Sequence, residues 1–197
     1  MTTQADLFIP VLLGTSRDGR RSEHVARLVF TELGRRANLR SEWLDLADFD
    51  FPAMRQRLNE NDQPPLGLQE FSGTLARADG LAIVAPEYKN GYPGSLKNAL
   101  DYLDRGILDR KPVGIATVSS GWGGGLNCLA QLRLVCLAMG GLPIPGSFPV
   151  VRVQQAFDKE GALQDASLFE RLGPFLDELI WYTRAMTRQS LTDPRQE

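Results

Sequence analysis

A chain of 197 residues, 43% hydrophobic and 23% charged, has an ordinary globular composition and is long enough for one well-buried domain. The formal net charge of −2, without a block rich in lysine or arginine, excludes a general electrostatic attraction to nucleic acid. No apolar run approaches the roughly 20 residues of a membrane span, and residues 1–6 lack the pattern of a signal peptide. We therefore expect a cytoplasmic protein that binds neither nucleic acid nor membrane.

Apolar runs and helical stripes alternate along the chain. Strands are predicted at 7–13, 42–46, 80–85, 112–118 and within 144–153, and helices at 22–36, 68–78, 93–103, 126–139 and 168–186. Pro10 weakens the first half of the first strand, because proline cannot donate to a strand ladder. A long polar connection spans 47–67, and 187–197 is predicted to be a frayed tail. Without repeats or linkers, residues 1–197 are predicted to form a single domain.

The order of these elements favours one fold class. Short strands separated by helices indicate a five-stranded parallel sheet covered on both faces, a three-layer α/β/α fold. The common topology of this kind is flavodoxin-like, with strand order 2-1-3-4-5 and a ligand crevice at the carboxyl edge of the sheet. Three loops follow predicted strands one, three and four, so all three open on that edge.

The first of these, the arginine loop (residues 14–22), combines hydroxyls, glycines and three arginines before a helix. Free backbone N–H groups and the helix dipole favour an anion there, and arginine adds charge-assisted bonds to phosphate. The glycine spacing fits neither a P-loop nor a dinucleotide turn. The pattern predicts phosphate binding, with a solvated loop in which Ser22 caps the helix as the alternative.

The other two loops carry aromatic side chains and glycine. The tyrosine loop (residues 86–93) contains Tyr88 and Tyr92, and the glycine loop (residues 119–125) contains Trp122 and three consecutive glycines. Glycine permits close approach of backbone to a ligand. The alternatives are a packed turn and a mobile connector. Together the three loops suit a ligand with a phosphate at one end and a planar ring at the other, such as FMN.

The side chains that other enzymes use for catalysis are missing from this pattern. No Ser-His-Asp arrangement and no paired carboxylates are placed for catalysis, so the chemistry would come from a cofactor. His24 stands without a second histidine or a cysteine cluster, which argues against a metal site. Cys128 and Cys136 fall in one predicted helix with Cα atoms about 12 Å apart, too far for a disulfide. We expect buried thiols.

These residues resemble the NADPH-dependent FMN reductase family, flavodoxin-like enzymes that include quinone, azo-dye and chromate reductases. The resemblance covers about residues 7–151 and is strongest over 86–88, 91–94 and 96–101. Residues 14–17 with Ser22 are similar to the family's phosphate loop. Ser119, Gly121 and Gly123-Gly124, with 131–133 downstream, are similar to its third flavin loop.

The resemblance implies an oxidoreductase that passes hydride from NADPH or NADH through bound FMN to a small-molecule acceptor, namely a quinone, an azo compound, free flavin or a similar molecule. It also implies a homodimer or homotetramer, with the helix at 93–103 helping to form the dimer. Catalysis would be flavin-borne, with Tyr88 and Lys89 as modulators. The implied cofactor-binding residues are Ser16, Arg17, Arg20, Arg21, Ser22, Pro86, Glu87, Tyr88, Lys89, Asn90, Gly91, Ser119, Gly121, Trp122 and Gly123.

Lys89 departs from the family pattern, which usually has asparagine directly after Pro-Glu-Tyr. A lysine there would favour a reduced, anionic flavin, attract an NADPH phosphate, or point to solvent. Two other functions stay open on the same fold: an electron carrier without its own nicotinamide reaction, and a flavin-free regulatory or interaction domain. The small net charge supports a carrier weakly, and residues 14–17 lack the acidic cluster of a receiver domain.

Overall fold

The computed structural model describes residues 6–190, with side chains through residue 187, and contains eight short strands. They are β1 Leu7–Phe8, β2 Val11–Leu13, β3 Leu39–Arg40, β4 Trp43–Asp45, β5 Leu81–Pro86, β6 Pro112–Val118, β7 Leu142–Pro143 and β8 Phe148–Val150. The main sheet is parallel in the order β4-β2-β5-β6-β7, with β8 also paired to β6. Adjacent β2 and β5 belong to the centre of this sheet, so their carboxyl ends lie side by side.

The described residues form six α-helices, of which four lie between strands and two follow the last strand. They are α1 Ser22–Gly34, α2 Leu68–Arg77, α3 Gly94–Asp101, α4 Leu126–Ala138, α5 Val153–Ala156 and α6 Ala166–Ser190. The four-residue α5 was not predicted from the sequence. The prediction that the tail frays from residue 187 is wrong for 187–190, which belong to α6, and the rest of that tail, 191–197, lies outside the described residues. No helix in the described part of the chain is both long enough and apolar enough to cross a membrane.

The predicted fold class, a flavodoxin-like three-layer α/β/α arrangement, is confirmed, although the strands are more finely divided than expected. Pro10 splits the predicted first strand, so that β1 pairs with β3 while β2 pairs with β4 and β5. Proline lacks the N–H that would continue the ladder. The strand predicted within 144–153 is β8, which pairs with the second half of β6. The two-residue β7 lies before the predicted range and pairs with the first half of β6. The strand count and order therefore differ slightly from the prediction, because six strands form the main sheet and β1 and β3 form a separate pair.

The sheet separates two apolar layers. Side chains alternate across each strand, so Val11 and Leu13 pack with α1 and α6 on one face, while Leu12 and Ile83 pack with α2, α3 and α4 on the other. Fully burying each such side chain stabilises the fold by about 1.5–3 kcal/mol. The two layers hold β2, β5 and β6 in fixed register, and so fix where the three loops begin.

The polar connection at 47–67 is tied to the domain by a small aromatic cluster. Phe49 and Phe51 stack with ring centroids 5.3 Å apart, and both meet Phe71 of α2 edge-on. Asn98 of α3 accepts from the Met54 N–H at 2.8 Å and donates to nearby backbone carbonyls of the connection. These contacts order a segment whose composition alone predicts only a loop.

Candidate functional site

The structure brings the three candidate loops together at the carboxyl edge of the sheet. Because β2, β5 and β6 are consecutive neighbours, the loops that follow them are adjacent. The Glu87 N–H donates to the Val118 carbonyl at 2.8 Å, which joins the tyrosine loop to β6. The hydroxyls of Thr15 and Tyr88 lie 3.1 Å apart, which joins the arginine loop to the tyrosine loop. Thr15, 1% exposed, was not among the predicted site residues.

Two of the loop's three arginines face solvent, and the third does not. Arg17 and Arg21 are exposed, and the Arg17 guanidinium lies 5.6 Å from the centre of the Tyr88 ring. The Arg20 side chain is only 13% exposed and forms an ion pair with Asp45 at the end of β4. Its guanidinium also lies 3.7 Å from the Glu23 carboxylate. The arginine loop therefore has two exposed cations, Arg17 and Arg21, and one cation, Arg20, that is paired with Asp45.

Two buried donors on this loop lack a partner. Within the part of the chain whose side chains are described, the buried polar atoms without a hydrogen bond are Arg20 Nε and Ser22 Oγ. Ser22 is the first residue of α1 and does not cap it, because Arg21 holds the capping position without a side-chain bond. A buried donor left unsatisfied costs about 1–3 kcal/mol. Both atoms can donate, so an anion is the group that fits this loop.

Asp45 is a further residue beside this site that the sequence reasoning missed. One carboxylate oxygen accepts from the Ala47 N–H at 2.9 Å, and the other accepts from Arg20. Burial raises the pKa of this carboxyl, while the Ala47 hydrogen bond and the Arg20 charge act in the opposite direction. Its one sequence signal is an acidic residue at the end of the strand that neighbours the arginine loop.

The centre of the tyrosine loop, residues 88–91, forms a tight two-residue turn. The backbones of Tyr88 and Gly91 exchange two hydrogen bonds, of 2.8 and 3.0 Å. Between them Lys89 and Asn90 have φ angles of 52° and 62°, the left-handed pair of a type I′ turn. Asparagine adopts this conformation more readily than lysine. Lys89 is exposed at the tip of the turn, so its position agrees with a side chain directed to solvent.

Glu87 holds this turn against α4. Its carboxylate accepts from the backbone N–H groups of Asn127 at 3.0 Å and Cys128 at 3.1 Å, at the start of the helix. The Gln131 amide donates to the Asn90 carbonyl at 2.8 Å and secures the turn from the same helix. The Glu87 side chain is therefore used within the protein, and the turn is rigid before any ligand arrives.

The glycine loop contains two kinds of glycine. Gly124 and Gly125 have φ angles of 60° and 82°, and a Cβ on Gly125 would lie 2.8 Å from the Thr117 Cβ. These two glycines are required by the fold. By contrast, a Cβ on Gly121 or Gly123 would meet no atom within 4 Å. The open glycines leave room for a flat group to approach the backbone.

Trp122 forms the outer wall of the glycine loop. Its side chain is 73% exposed, and the Arg152 guanidinium lies 3.0 Å from the centre of one ring face. The Arg152 N–H donates to the Gly121 carbonyl at 3.0 Å, which fixes the segment after β8 to this loop. The Ser119 hydroxyl is used internally, since it donates to the Gly121 carbonyl at 3.0 Å. The loop presents the aromatic surface of Trp122 and open backbone.

The other chemically reactive side chains lie away from this edge or are inert. Burial raises the pKa of Cys128 and of Cys136 to about 12, so both thiols stay protonated at neutral pH. Among residues 6–187 there is no cluster of three or more histidine, cysteine or acidic side chains that could hold a metal ion. A cavity of about 480 Å³ adjoins the arginine loop, and its lining carries both cations and carboxylates, namely Arg17, Asp18, Gly19, Arg20, Arg21, Glu23, His24, Asp158 and Lys159.

One helix beside the site has an apolar outer face. Leu126, Leu134 and Leu137 of α4 are 60%, 68% and 57% exposed and share one side of the helix. A surface helix normally places polar residues outward, and exposed apolar patches mark interaction sites. On α3, which the resemblance implied would help form a dimer, the partly exposed Lys97 and Asp101 form an ion pair.

Known proteins resemble this chain in sequence. A family model described as NADPH-dependent FMN reductase matches residues 8–155. The chain is 31% identical over 123 residues to an NADPH azoreductase of Bacillus sp. (strain OY1-2), a match covering 62% of this chain and 65% of that protein. It is 37% identical over 89 residues to a quinone reductase of Escherichia coli (strain K12), covering 44% and 47%. The chain thus spans less than two thirds of the length of these two relatives.

The fold is also that of a known flavoenzyme. The structure of FerB from Paracoccus denitrificans, a flavoenzyme NAD(P)H:(acceptor) oxidoreductase, superposes with a TM-score of 0.72. The match covers 91% of this chain and 98% of that one at 22% identity, which supports a common fold.

Proposed function

Because this chain belongs to the NADPH-dependent FMN reductase family, we propose that it is an FMN-dependent NAD(P)H oxidoreductase. Its acceptors would be quinones, azo compounds, free flavin or similar small molecules. We propose that residues 1–197 act as a single flavodoxin-like domain. The flavin, when bound, supplies the redox chemistry by taking up hydride and giving electrons to the acceptor. The protein then has to bind, orient and shield it.

The observation that carries the proposal is the pair of unpartnered donors on the arginine loop, Arg20 Nε and Ser22 Oγ. A phosphate group would offer acceptor oxygens to these donors, and the start of α1 adds backbone N–H groups and a favourable dipole. The exposed Arg17 and Arg21 would add charge-assisted bonds, and Ser16 lies between Thr15 and Arg17 on the same loop. These residues would hold the FMN phosphate.

The other two loops would hold the ring and the sugar chain. Pro86 and the turn at 88–91 provide a rigid backbone edge, with Tyr88 as an aromatic wall. Glu87 would act by fastening this turn to α4. Ser119, Gly121, Trp122 and Gly123 would border the opposite edge of the ring, where the open glycines leave space. Lys89, on the exposed turn, would modulate the site by its charge.

We also propose a homodimer or homotetramer built on α4. Leu126, Leu134 and Leu137 form an apolar stripe that a second copy of the same helix would cover, and the stripe begins beside the glycine loop. The interface would then lie next to the flavin. Replacing Leu134 by glutamate should shift the protein toward the monomer in size-exclusion chromatography with light scattering. An unchanged mass would contradict this interface.

A cytoplasmic location and the absence of nucleic-acid or membrane partners complete the proposal. Cys128 and Cys136 are free thiols, whereas proteins of oxidising compartments commonly pair theirs. A net charge of −2 gives the chain no general electrostatic attraction to nucleic acid.

The test is direct. Purified protein should bind FMN and, once loaded, oxidise NADPH or NADH in the presence of a quinone or azo dye. Loss of flavin together with no NAD(P)H oxidation after adding FMN would contradict the proposal. Tight flavin binding with very slow NAD(P)H oxidation would instead indicate an electron carrier.

A further inference from the structure

We propose that Asp45 is a positioning residue for the FMN phosphate, acting through Arg20. The inference rests on the proposed function and deepens it, because it names a residue outside the three loops that prepares one of them. Asp45 is the last residue of β4, and its register partner on β2 is Leu13. It therefore stands beside the point where β2 ends and the arginine loop begins.

The Asp45 carboxylate has two partners, one on each side. One oxygen accepts from the Ala47 N–H at 2.9 Å and the other accepts from the Arg20 guanidinium. The carboxylate side chain is 7% exposed and the Arg20 side chain 13% exposed. A long cationic side chain is rarely this well covered unless a carboxylate compensates its charge. Asp45 thus explains why Arg20 turns toward the sheet.

The pairing also fixes the direction of the rest of the guanidinium. Arginine presents its N–H groups in a rigid planar fork, so holding one terminal nitrogen restricts where Nε points. In this structure Nε of Arg20 is buried and has no acceptor. The hydroxyl of Ser22, two residues later, is also buried and has no hydrogen-bond partner. Asp45 therefore orients the Nε–H group of Arg20 so that it can donate to an anion. Because the Arg20 side chain is already ordered, ligand binding costs less conformational entropy.

A purely structural role for Asp45 makes a different prediction. If the carboxylate only anchored the turn at 46–48 through Ala47, its loss would weaken the fold and affect the binding of any flavin equally. If it positions Arg20, its loss should affect only a flavin that carries the phosphate. FMN and riboflavin differ by that phosphate alone, so the ratio of their dissociation constants separates the two roles.

The experiment titrates flavin-free protein with FMN and with riboflavin, following flavin fluorescence. For Asp45→Asn, we expect FMN affinity to fall about tenfold or more, about the worth of one charge-assisted hydrogen bond, with riboflavin affinity unchanged within about twofold. The matched control is Asp48→Asn, an exposed aspartate three residues away, which should change neither constant. Equal losses for both flavins, or no loss for FMN, would overturn the proposal.

Arg20→Lys provides a second route if Asp45→Asn does not fold. Lysine keeps the charge but not the planar fork, so the preference for FMN over riboflavin should again shrink by about tenfold. An intact preference would overturn the proposal. Failure of the unmodified protein to bind FMN at all would contradict the proposed function itself, which is a different outcome from a preference that survives these substitutions.

Discussion

The tyrosine and glycine loops differ from the arginine loop in how far they satisfy their own polar groups. In the tyrosine loop, Tyr88 and Gly91 close the turn with two backbone bonds, and Glu87 and Gln131 tie it to α4. In the glycine loop, the Ser119 hydroxyl donates within the loop itself. The arginine loop instead contains both of the unpartnered buried donors found among the described side chains.

This difference separates surfaces that are complete without a ligand from one that requires it. A self-satisfied turn can present a rigid edge to a planar ring at little cost in ordering. A loop with unsatisfied donors gains stability only when an acceptor arrives. Substitutions of the groups that close the tyrosine and glycine loops on themselves should therefore change mainly the stability of the protein. Substitutions of the donors in the arginine loop should change mainly its affinity for ligand.

The largest effect is expected for Gly125→Ala. Alanine there would adopt a φ of 82° and place its Cβ 2.8 Å from the Thr117 Cβ. Left-handed strain and overpacking together should lower the free energy of unfolding by about 2 kcal/mol or more. Gly123→Ala is the matched control, because its Cβ meets no atom within 4 Å. If urea unfolding showed the same decrease in the free energy of unfolding for both variants, the distinction between the two kinds of glycine in this loop would be contradicted.

Arg17→Ala tests the arginine loop, where a substitution should change ligand affinity rather than stability. Removing this exposed cation should weaken FMN binding about tenfold or more, since a hydrogen bond to a charged group contributes about 1.5–3 kcal/mol. The free energy of unfolding should change by less than about 0.5 kcal/mol. Arg55→Ala, an exposed arginine on the 47–67 connection, serves as the control in the same fluorescence titration. Unchanged FMN affinity would remove Arg17 from the phosphate site.

Glu87→Gln should have a smaller effect, and on stability. The amide keeps one acceptor but loses the negative charge at the start of α4, which is worth about 0.5–1 kcal/mol. FMN affinity should stay within about twofold, because the carboxylate faces α4. Glu170→Gln, at an exposed position of α6, controls for loss of a negative charge elsewhere. A large loss of FMN affinity with unchanged stability would place Glu87 against the flavin instead.

The smallest predicted change is an increase in stability. Lys89→Asn should raise the free energy of unfolding by about 0.5 kcal/mol, because asparagine tolerates the φ of 52° better than lysine. The reciprocal variant Asn90→Lys should lower it by a similar amount, since that residue has a φ of 62°. Thermal unfolding of both variants checks the pair. Equal melting temperatures would show that the turn's backbone preference does not limit stability.

Local patterns predicted much of the fold. The apolar run at 112–118 was predicted with the bounds it has in the structure, because a central parallel strand is buried on both faces and reads as a continuous hydrophobic segment. The start of α1 at Ser22 and of α2 at Leu68 also agree with their predicted positions. The split at Pro10 follows from the missing proline N–H, although its consequence, a separate pairing of β1 with β3, needed the structure.

Pairings between distant residues were beyond the sequence patterns. Nothing in the local sequence indicates that Arg20 turns to Asp45, 25 residues later, while its neighbours stay exposed. The direction of Glu87 toward Asn127 likewise depends on how α4 packs. The three loops were correctly predicted to meet, because parallel strands end at one edge. Which of their side chains remain available for a ligand depends on tertiary contacts.

The central claim is that the arginine loop is built to hold a phosphate, and one measurement tests it most directly. Flavin-free protein should be titrated with FMN and with riboflavin under identical conditions, with flavin fluorescence as the signal. Two or more charge-assisted bonds to the phosphate predict that FMN binds about a hundredfold more tightly. Equal dissociation constants for the two flavins would contradict the claim.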